Sequence, residues 1–294
     1  MESNGLANVF NLSLGKEATV SIIGVGSGVG RIVDRIQACG LPNTELCAVG
    51  MNGEELKEIV FLHKYFSNKL LSCLIVCLGG DAEENCIKAF LQKADDMKIP
   101  AKLLVVKLPH SSEGVEKRRN ALQFLSEIEK SVSGIFVVDC DAFHCSSIPE
   151  SFEKADEKVV DIVNAFVCLI VKRSMIGFDF NDVKNFLEYR SCKKIIDYFT
   201  LSGNIDCLKN ELKDVWSSFS LKYPSWGDIS GFLFVLYYNR QNPQVQDDTV
   251  LGFLKMIYET IMKRLNDHTD VKWTIIDTPD LPEEIFRVDI FTKF

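Results

Sequence analysis

Gly24, Gly26, Gly28 and Gly30 fall between an apolar run, Ala18 to Gly24 (ATVSIIG), and a segment, Arg31 to Cys39, whose Ile32, Val33 and Ile36 recur at helical spacing. A strand, a glycine loop and a helix in that order aim backbone N–H groups and a helix N-terminus at an anion. The spacing does not fit a dinucleotide fingerprint. From Gly24 a GxGxxG needs glycine at 29, which is Val29, and from Gly26 it needs glycine at 31, which is Arg31. The acid expected to hold a ribose after the second strand is missing as well, where the chain reads Val49-Gly50-Met51-Asn52, and there is no P-loop signature.

Two acidic groups carry charge where chemistry needs it. Asp81, Glu83 and Glu84 follow Gly79-Gly80 at the start of a helical pattern, where Asp81 would cap the helix and acids in the first turn suit its dipole. Asp179 and Asp182 lie in the turn Ile176 to Val183, which leads into a periodic segment; an Asp at a helix start is a common N-cap. Cys140, His144 and Cys145 invite a metal, but no second CxxC or HxxxH completes a tetrahedral set, so no metal is expected. The ten cysteines are scattered, mostly inside apolar runs, where a reduced thiol acts as a small hydrophobe and fits a reducing cytosol.

These residues need a scaffold, and the hydrophobic pattern supplies one. Strands are predicted over Ala18 to Gly24, Glu45 to Val49, Ser72 to Leu78, Ala101 to Leu108 and Gly134 to Asp139. Between them helices are predicted over Arg31 to Cys39, Gly53 to Phe66, Ala82 to Lys98 and Ser112 to Val132. That alternation gives an α/β, doubly wound, mostly parallel sheet over residues 1–149, with ligand sites at the strands' carboxyl ends. From Val159 to Val171 nearly every position is apolar, broken by Asp161 and Asn164, so residues 150–173 form a central helix buried on almost all sides. The run is too short for a bilayer, which needs about 20 apolar residues. The rhythm then changes over residues 174–294. Helices are expected at 182–188, 204–217 and 247–264, and strands at 194–201, 230–238, 272–278 and 285–292. Together they make a smaller α+β mixed-sheet domain.

The chain of 294 residues is 47% hydrophobic and carries a net charge of −8. No basic block interleaves with aromatics, so nucleic acid is not an expected partner. The opening MESNGLANVF lacks the basic-then-apolar pattern of a signal peptide, and a cytoplasmic protein without direct membrane insertion is expected.

The order of the pieces resembles FtsZ, the prokaryotic tubulin relative, along almost the whole chain. Ile22-Ile23-Gly24-Val25-Gly26-Ser27-Gly28 is similar to the family's IGVGGGG opening, and Glu45-Leu46-Cys47-Ala48-Val49 to its next strand. Pro109 to Gly114 (PHSSEG), with Lys117 and Ala121, resembles PFxFEGxxRxxxA. Phe152 to Glu157 (FEKADE) is similar to the start of the family's central helix, Asp179 to Val183 (DFNDV) to its DFADV loop, and Trp273 to Phe294 to the close of its globular body.

The resemblance implies a tubulin/FtsZ-like fold with GTP or GDP over the first domain, and Mg²⁺ only alongside nucleotide. It implies that Gly26, Ser27 and Gly28 approach phosphates, with Gly79 and Gly80 at the place of a second phosphate loop. Glu113 and Lys117 would lie on the ribose side, and Phe152 and Asp156 would hold the guanine. Asp179 and Asp182 would be the catalytic acids donated to the neighbouring subunit in a filament, where they position the attacking water.

The sequence departs from that pattern on the nucleotide side. Where the family has GGGTGTG, this chain reads Leu78-Gly79-Gly80-Asp81-Ala82-Glu83-Glu84-Asn85. One carboxylate about 4 Å from a phosphate charge costs about 4 kcal/mol at an effective dielectric of about 20, roughly a thousandfold in affinity, unless a divalent cation bridges them. The stretch between Asn52 and Ser72 is too short for a helix plus the family's γ-phosphate-sensing loop. Val29, Gly30, Lys117 and Gly177 also replace family residues.

The reading is a divergent FtsZ-like cytoskeletal or cell-division protein with weak or absent GTPase activity. It would act by head-to-tail assembly with itself or with a true FtsZ. The alternatives are an active polymerising GTPase, with Asp81, Glu83 and Glu84 working through Mg²⁺, and a non-polymerising binding module on the same fold.

Overall fold

A computed structural model describes residues 20–26, 28–49, 69–77, 81–189, 193–212, 229–241, 247–282 and 285–294. The expected lead-in over 1–16, the helix over 53–66, and Ser27, Gly79 and Gly80 lie outside the described residues. By contacts the chain forms two compact units. One comprises residues 1–121 and 139–171, the other residues 122–138 and 172–294.

In the first unit β1 (Val20–Val25), β2 (Thr44–Val49), β3 (Leu71–Cys77) and β4 (Ala101–Leu108) are parallel neighbours: β1 pairs with both β2 and β3, and β3 with β4. Within this unit the strand order is β2-β1-β3-β4, whereas β5 (Gly134–Asp139) belongs, up to Val138, to the second unit. Every residue of β1 is buried, as an inner strand covered on both faces requires. The helices α1 (Val29–Ala38), α2 (Asp81–Asp96) and α3 (Val115–Ile128) follow β1, β3 and β4. Gly24 lets α1 approach β1 closely. A Cβ there would stand 2.6 Å from Val29 Cγ2 and 2.8 Å from Val33 Cγ2.

The central helix α4 (Ile148–Val171) packs on α1, β1 and β4. From Val159 to Leu169 only Asp161 and Asn164 escape burial, so its apolar run is buried nearly all round as the sequence indicated. One expected helix is broken. Residues 112–132 give a 3₁₀ turn (Ser111–Glu113), an interruption at Gly114 with φ 117°, α3, and a second 3₁₀ turn (Glu129–Ser131). Helical periodicity cannot report that the first turn folds back on its own side chains.

The second unit is built on a sheet of order β6-β9-β7-β8 from β6 (Ile196–Gly203), β7 (Gly231–Tyr238), β8 (Asp270–Asp277) and β9 (Phe286–Lys293). It is mixed: β9 is antiparallel to β6 and β7, whereas β7 and β8 are parallel. Alternate residues of β7 (Phe232, Phe234, Leu236, Tyr238) and β9 (Phe286, Val288, Ile290) enter one core. Against them lie Val250, Phe253, Leu254, Ile257 and Ile261 of α6 (Asp247–Met262), and Leu208 and Leu212 of the helical residues 205–212. Strand period 2 meets helix period 3.6 on one apolar face. The helix α5 (Phe180–Glu188) carries the acid loop. Among the described residues no helix is long and apolar enough to cross a membrane.

Candidate functional site

The candidate site residues fall into two groups, one in each unit. In the first unit Gly26 (φ 111°) and Gly28 (φ 79°) both take the left-handed backbone, which is why glycine stands there. Gly28 is the N-cap of α1 and has no side chain to accept from the first N–H groups of that helix.

Around the start of α4 the site is crowded with charge. Asp156 is 2% exposed, and a cation stands on each of its oxygens. Lys107 Nζ of β4 is 2.5 Å from Oδ1, and Arg31 Nη2 of α1 is 3.2 Å from Oδ2. The Lys107 ammonium also lies 5.1 Å from the ring centroid of Phe152, and His110 meets that ring edge-on at 5.8 Å. Phe152 and Asp156, one helical turn apart, both meet the Lys107 ammonium.

Glu113 and Lys117 are also brought together, and they pair with each other at 2.6 Å. Glu113 accepts from the His110 N–H at 2.9 Å, and the His110 ring accepts from the Ser112 N–H, a reciprocal capping box. Burial would raise the Glu113 carboxyl, but the hydrogen bonds from Lys117 and His110 outweigh it and hold it below its ordinary value. Behind this turn, Arg118 grips Asp139 with two nitrogens, reaches Asp141 at 3.0 Å and donates to the Pro109 carbonyl. Asp141 accepts from the Ser111 N–H at 2.9 Å, the main reason its carboxyl is lowered. The loop after β4 is thus fastened to the loop after β5.

Cys140 is fully buried, and burial pushes its thiol up to about 11, the behaviour of a packed hydrophobe and not of a nucleophile. Among the described residues no three His, Cys, Asp or Glu side chains converge as metal ligands.

In the second unit Asp179 is the N-cap of α5. Its carboxylate accepts from the N–H groups of Asn181 (2.7 Å) and Asp182 (3.4 Å), while Asp182 accepts from the Asp179 N–H at 3.0 Å. Asp182 also has Lys272 Nζ at 3.5 Å. Each acid therefore has a structural task at the helix start, and Asp179 remains exposed. The helix-start reading made from sequence accounts for this geometry in full.

Sequence reasoning missed Lys107 and Arg31. Lys107 had a visible signal: a lysine near the end of the apolar strand AKLLVVKL calls for an internal acid.

No protein-family model matches the chain. It is 23% identical over 284 residues to the cell division protein FtsZ of Helicobacter pylori, an alignment covering 94% of this chain and 66% of that protein, so the chain spans just under two thirds of that relative. Among solved structures it superposes on an empty FtsZ dimer from M. jannaschii with a TM-score of 0.75 at 16% identity, covering 99% of this chain and 92% of that one. It superposes on a GTPγS-bound CetZ2 protofilament from Haloferax volcanii with a TM-score of 0.69 at 13% identity, covering 93% and 92%. The chain therefore has the tubulin/FtsZ fold, and it is similar in sequence to FtsZ along nearly its whole length.

Proposed function

We propose that this is a divergent FtsZ-like protein of cytoskeletal or cell-division type. It acts in the cytoplasm by head-to-tail assembly, with itself or with a true FtsZ filament, and its own GTPase activity is weak or absent. The observation that carries this reading is the buried Asp156 with Lys107 and Arg31 on its two oxygens. Guanine offers N1 and N2 hydrogens and needs a carboxylate free to accept them. A carboxylate that is 2% exposed and already paired with the buried Lys107 is a poor acceptor for a base. The residues present therefore do not fit guanine well. The acid loop supports the assembly half, because Asp179 stays exposed at the head of α5. Two of its structural neighbours, a dimer and a protofilament, are themselves assemblies.

The test is isothermal titration with GTP and GDP, with and without Mg²⁺, after confirming that no nucleotide co-purifies. Light scattering and phosphate release then follow, alone and mixed with an active FtsZ. The expected result is no saturable nucleotide binding at millimolar concentration, with scattering altered in the mixture. No effect on scattering in either arm removes the assembly reading.

The exposed Asp179 also favours a second reading, a junction GTPase whose Glu83 and Glu84 hold phosphates through Mg²⁺. Tight, Mg²⁺-dependent GTP binding with hydrolysis that Asp179→Asn abolishes would replace the first reading with this one.

A further inference from the structure

We infer that the second unit contains an anion site for a phosphoryl-bearing small molecule at the carboxyl ends of β7 and β8, formed by Lys172, Arg173 and Arg240. These three side chains line one open cavity of ≈ 810 Å³, together with Thr278, Asp277 and Asp280. That volume lies within the roughly 300–1,000 Å³ of small-molecule sites. The location is a favourable one. The strands β7 and β8 are parallel and end together, with Tyr238 opposite Asp277, so the loops leaving them converge on one side. Ligands in parallel α/β sheets sit beyond strand carboxyl ends for the same reason.

The walls are fixed by hydrogen bonds that do not use the cationic groups. On one side Ser174 bridges antiparallel to Ile276, the Met175 N–H donates to the Ile275 carbonyl at 2.9 Å, and the Ser174 and Thr274 hydroxyls are 2.7 Å apart. This holds the preceding Lys172 and Arg173 against β8. On the other side the Thr278 N–H donates to the Tyr238 carbonyl at 2.9 Å, and Asn239 Nδ2 donates to the Pro279 carbonyl at 3.0 Å. The Arg240 N–H donates to Asp277 Oδ1 at 3.1 Å. A preorganised wall keeps the ordering cost of binding low.

Charge decides the ligand class. In a chain of net charge −8, three cations meet at this cavity, and among the described residues none of them has a carboxylate within ion-pair distance. A helix C-terminus accounts for Lys172 and Arg173, which directly follow α4. It does not account for Arg240, which arrives from a different strand. Guanidinium groups suit the planar, multi-acceptor surface of a phosphoryl group. Of the two acids, Asp277 already accepts the Arg240 N–H, and the exposed Asp280 opposes an incoming anion from the rim.

Inorganic pyrophosphate, titrated calorimetrically into the full chain at fixed ionic strength, is the probe. We expect saturable binding that weakens at least tenfold in Arg173→Ala/Arg240→Ala and tightens several-fold in Asp280→Asn. All three side chains are exposed, so the variants fold, and circular dichroism checks this. Arg31→Ala, on the first unit, is expected to leave binding unchanged. Absence of saturable binding at millimolar pyrophosphate overturns the proposal. So does binding that survives Arg173→Ala/Arg240→Ala, or that is lost in Arg31→Ala instead.

Discussion

The ammonium of Lys107 stands 2.5 Å from Oδ1 of Asp156, a carboxylate that is 2% exposed, and the lysine itself is 12% exposed. This pair sits where the resemblance puts the base-recognising acid. Breaking a buried pair by removing one partner leaves an uncompensated charge, at a cost of about 3–5 kcal/mol. Arg31 remains on the other oxygen but is 69% exposed, so its screened attraction compensates little. Lys107→Met is therefore expected to destabilise by about 3 kcal/mol. Lys107→Met/Asp156→Leu should recover most of that loss, and Arg31→Ala should cost under about 1 kcal/mol. Urea unfolding of the four proteins measures it. Equal losses in the single and double variants would mean that the pair is not coupled.

Asp179 can be tested for two roles separately. As the cap of α5 it should cost about 1 kcal/mol on replacement by Ala, whereas Asn caps equally well and removes only the charge. Asp179→Asn is thus expected to match the parent in thermal unfolding. If the exposed acid acts across a subunit junction, the same variant alters assembly in light scattering. A variant that neither melts lower nor assembles differently would restrict Asp179 to capping.

The contact between α1 and β1 predicts sensitivity of different origin at two glycines. Gly24→Ala would drive a Cβ to 2.6 Å from Val29 Cγ2 and 2.8 Å from Val33 Cγ2, an overpacking cost of about 1–3 kcal/mol. Gly28→Ala meets no atom within 4 Å, so only its φ of 79° is penalised, about 1–2 kcal/mol. Adding Val29→Ala should therefore rescue the first variant in part and the second not at all, read by thermal unfolding.

What could be read from the sequence follows the range of the forces involved. Buried strands announce themselves through local apolar runs; Gly134 to Asp139 falls where the pattern put it, and Val20–Val25 lies within two residues of it. The acids of the DFNDV turn are likewise local, since Asp179 and Asp182 bond to backbone within three residues. The ion cluster is not local. Lys107 is 49 residues from Asp156, and Arg31 is 125. No periodicity encodes which cation meets which acid. The same holds for Arg287, which reaches Asp289 on its own strand but also the Tyr198 hydroxyl 89 residues away.

Lys293 supplies a pH-dependent prediction. It is fully buried in β9 and donates to the carbonyls of Phe186 (3.2 Å) and Leu187, near the end of α5. Burial is the main cause that pulls its ammonium down from 10.5 to about 7; Lys194 adds to the shift, while Glu188 and Asp270 resist it. Between pH 7 and 10.5 the unfolded chain holds this proton and the folded chain does not. Stability gains through this group as pH rises over that interval, by at most about 1.4 kcal/mol per pH unit, and its penalty is fully present below pH 7. Cys140 acts in the opposite sense above its ordinary value of 9.0, so the clean window is pH 7 to 9. Urea unfolding at pH 7, 8 and 9 should show stability rising in the parent. In Lys293→Met the slope should be flatter, even though the two carbonyls lose their donor. Equal slopes in the two proteins would show that Lys293 keeps its proton throughout this range, with the carbonyls of α5 outweighing its burial.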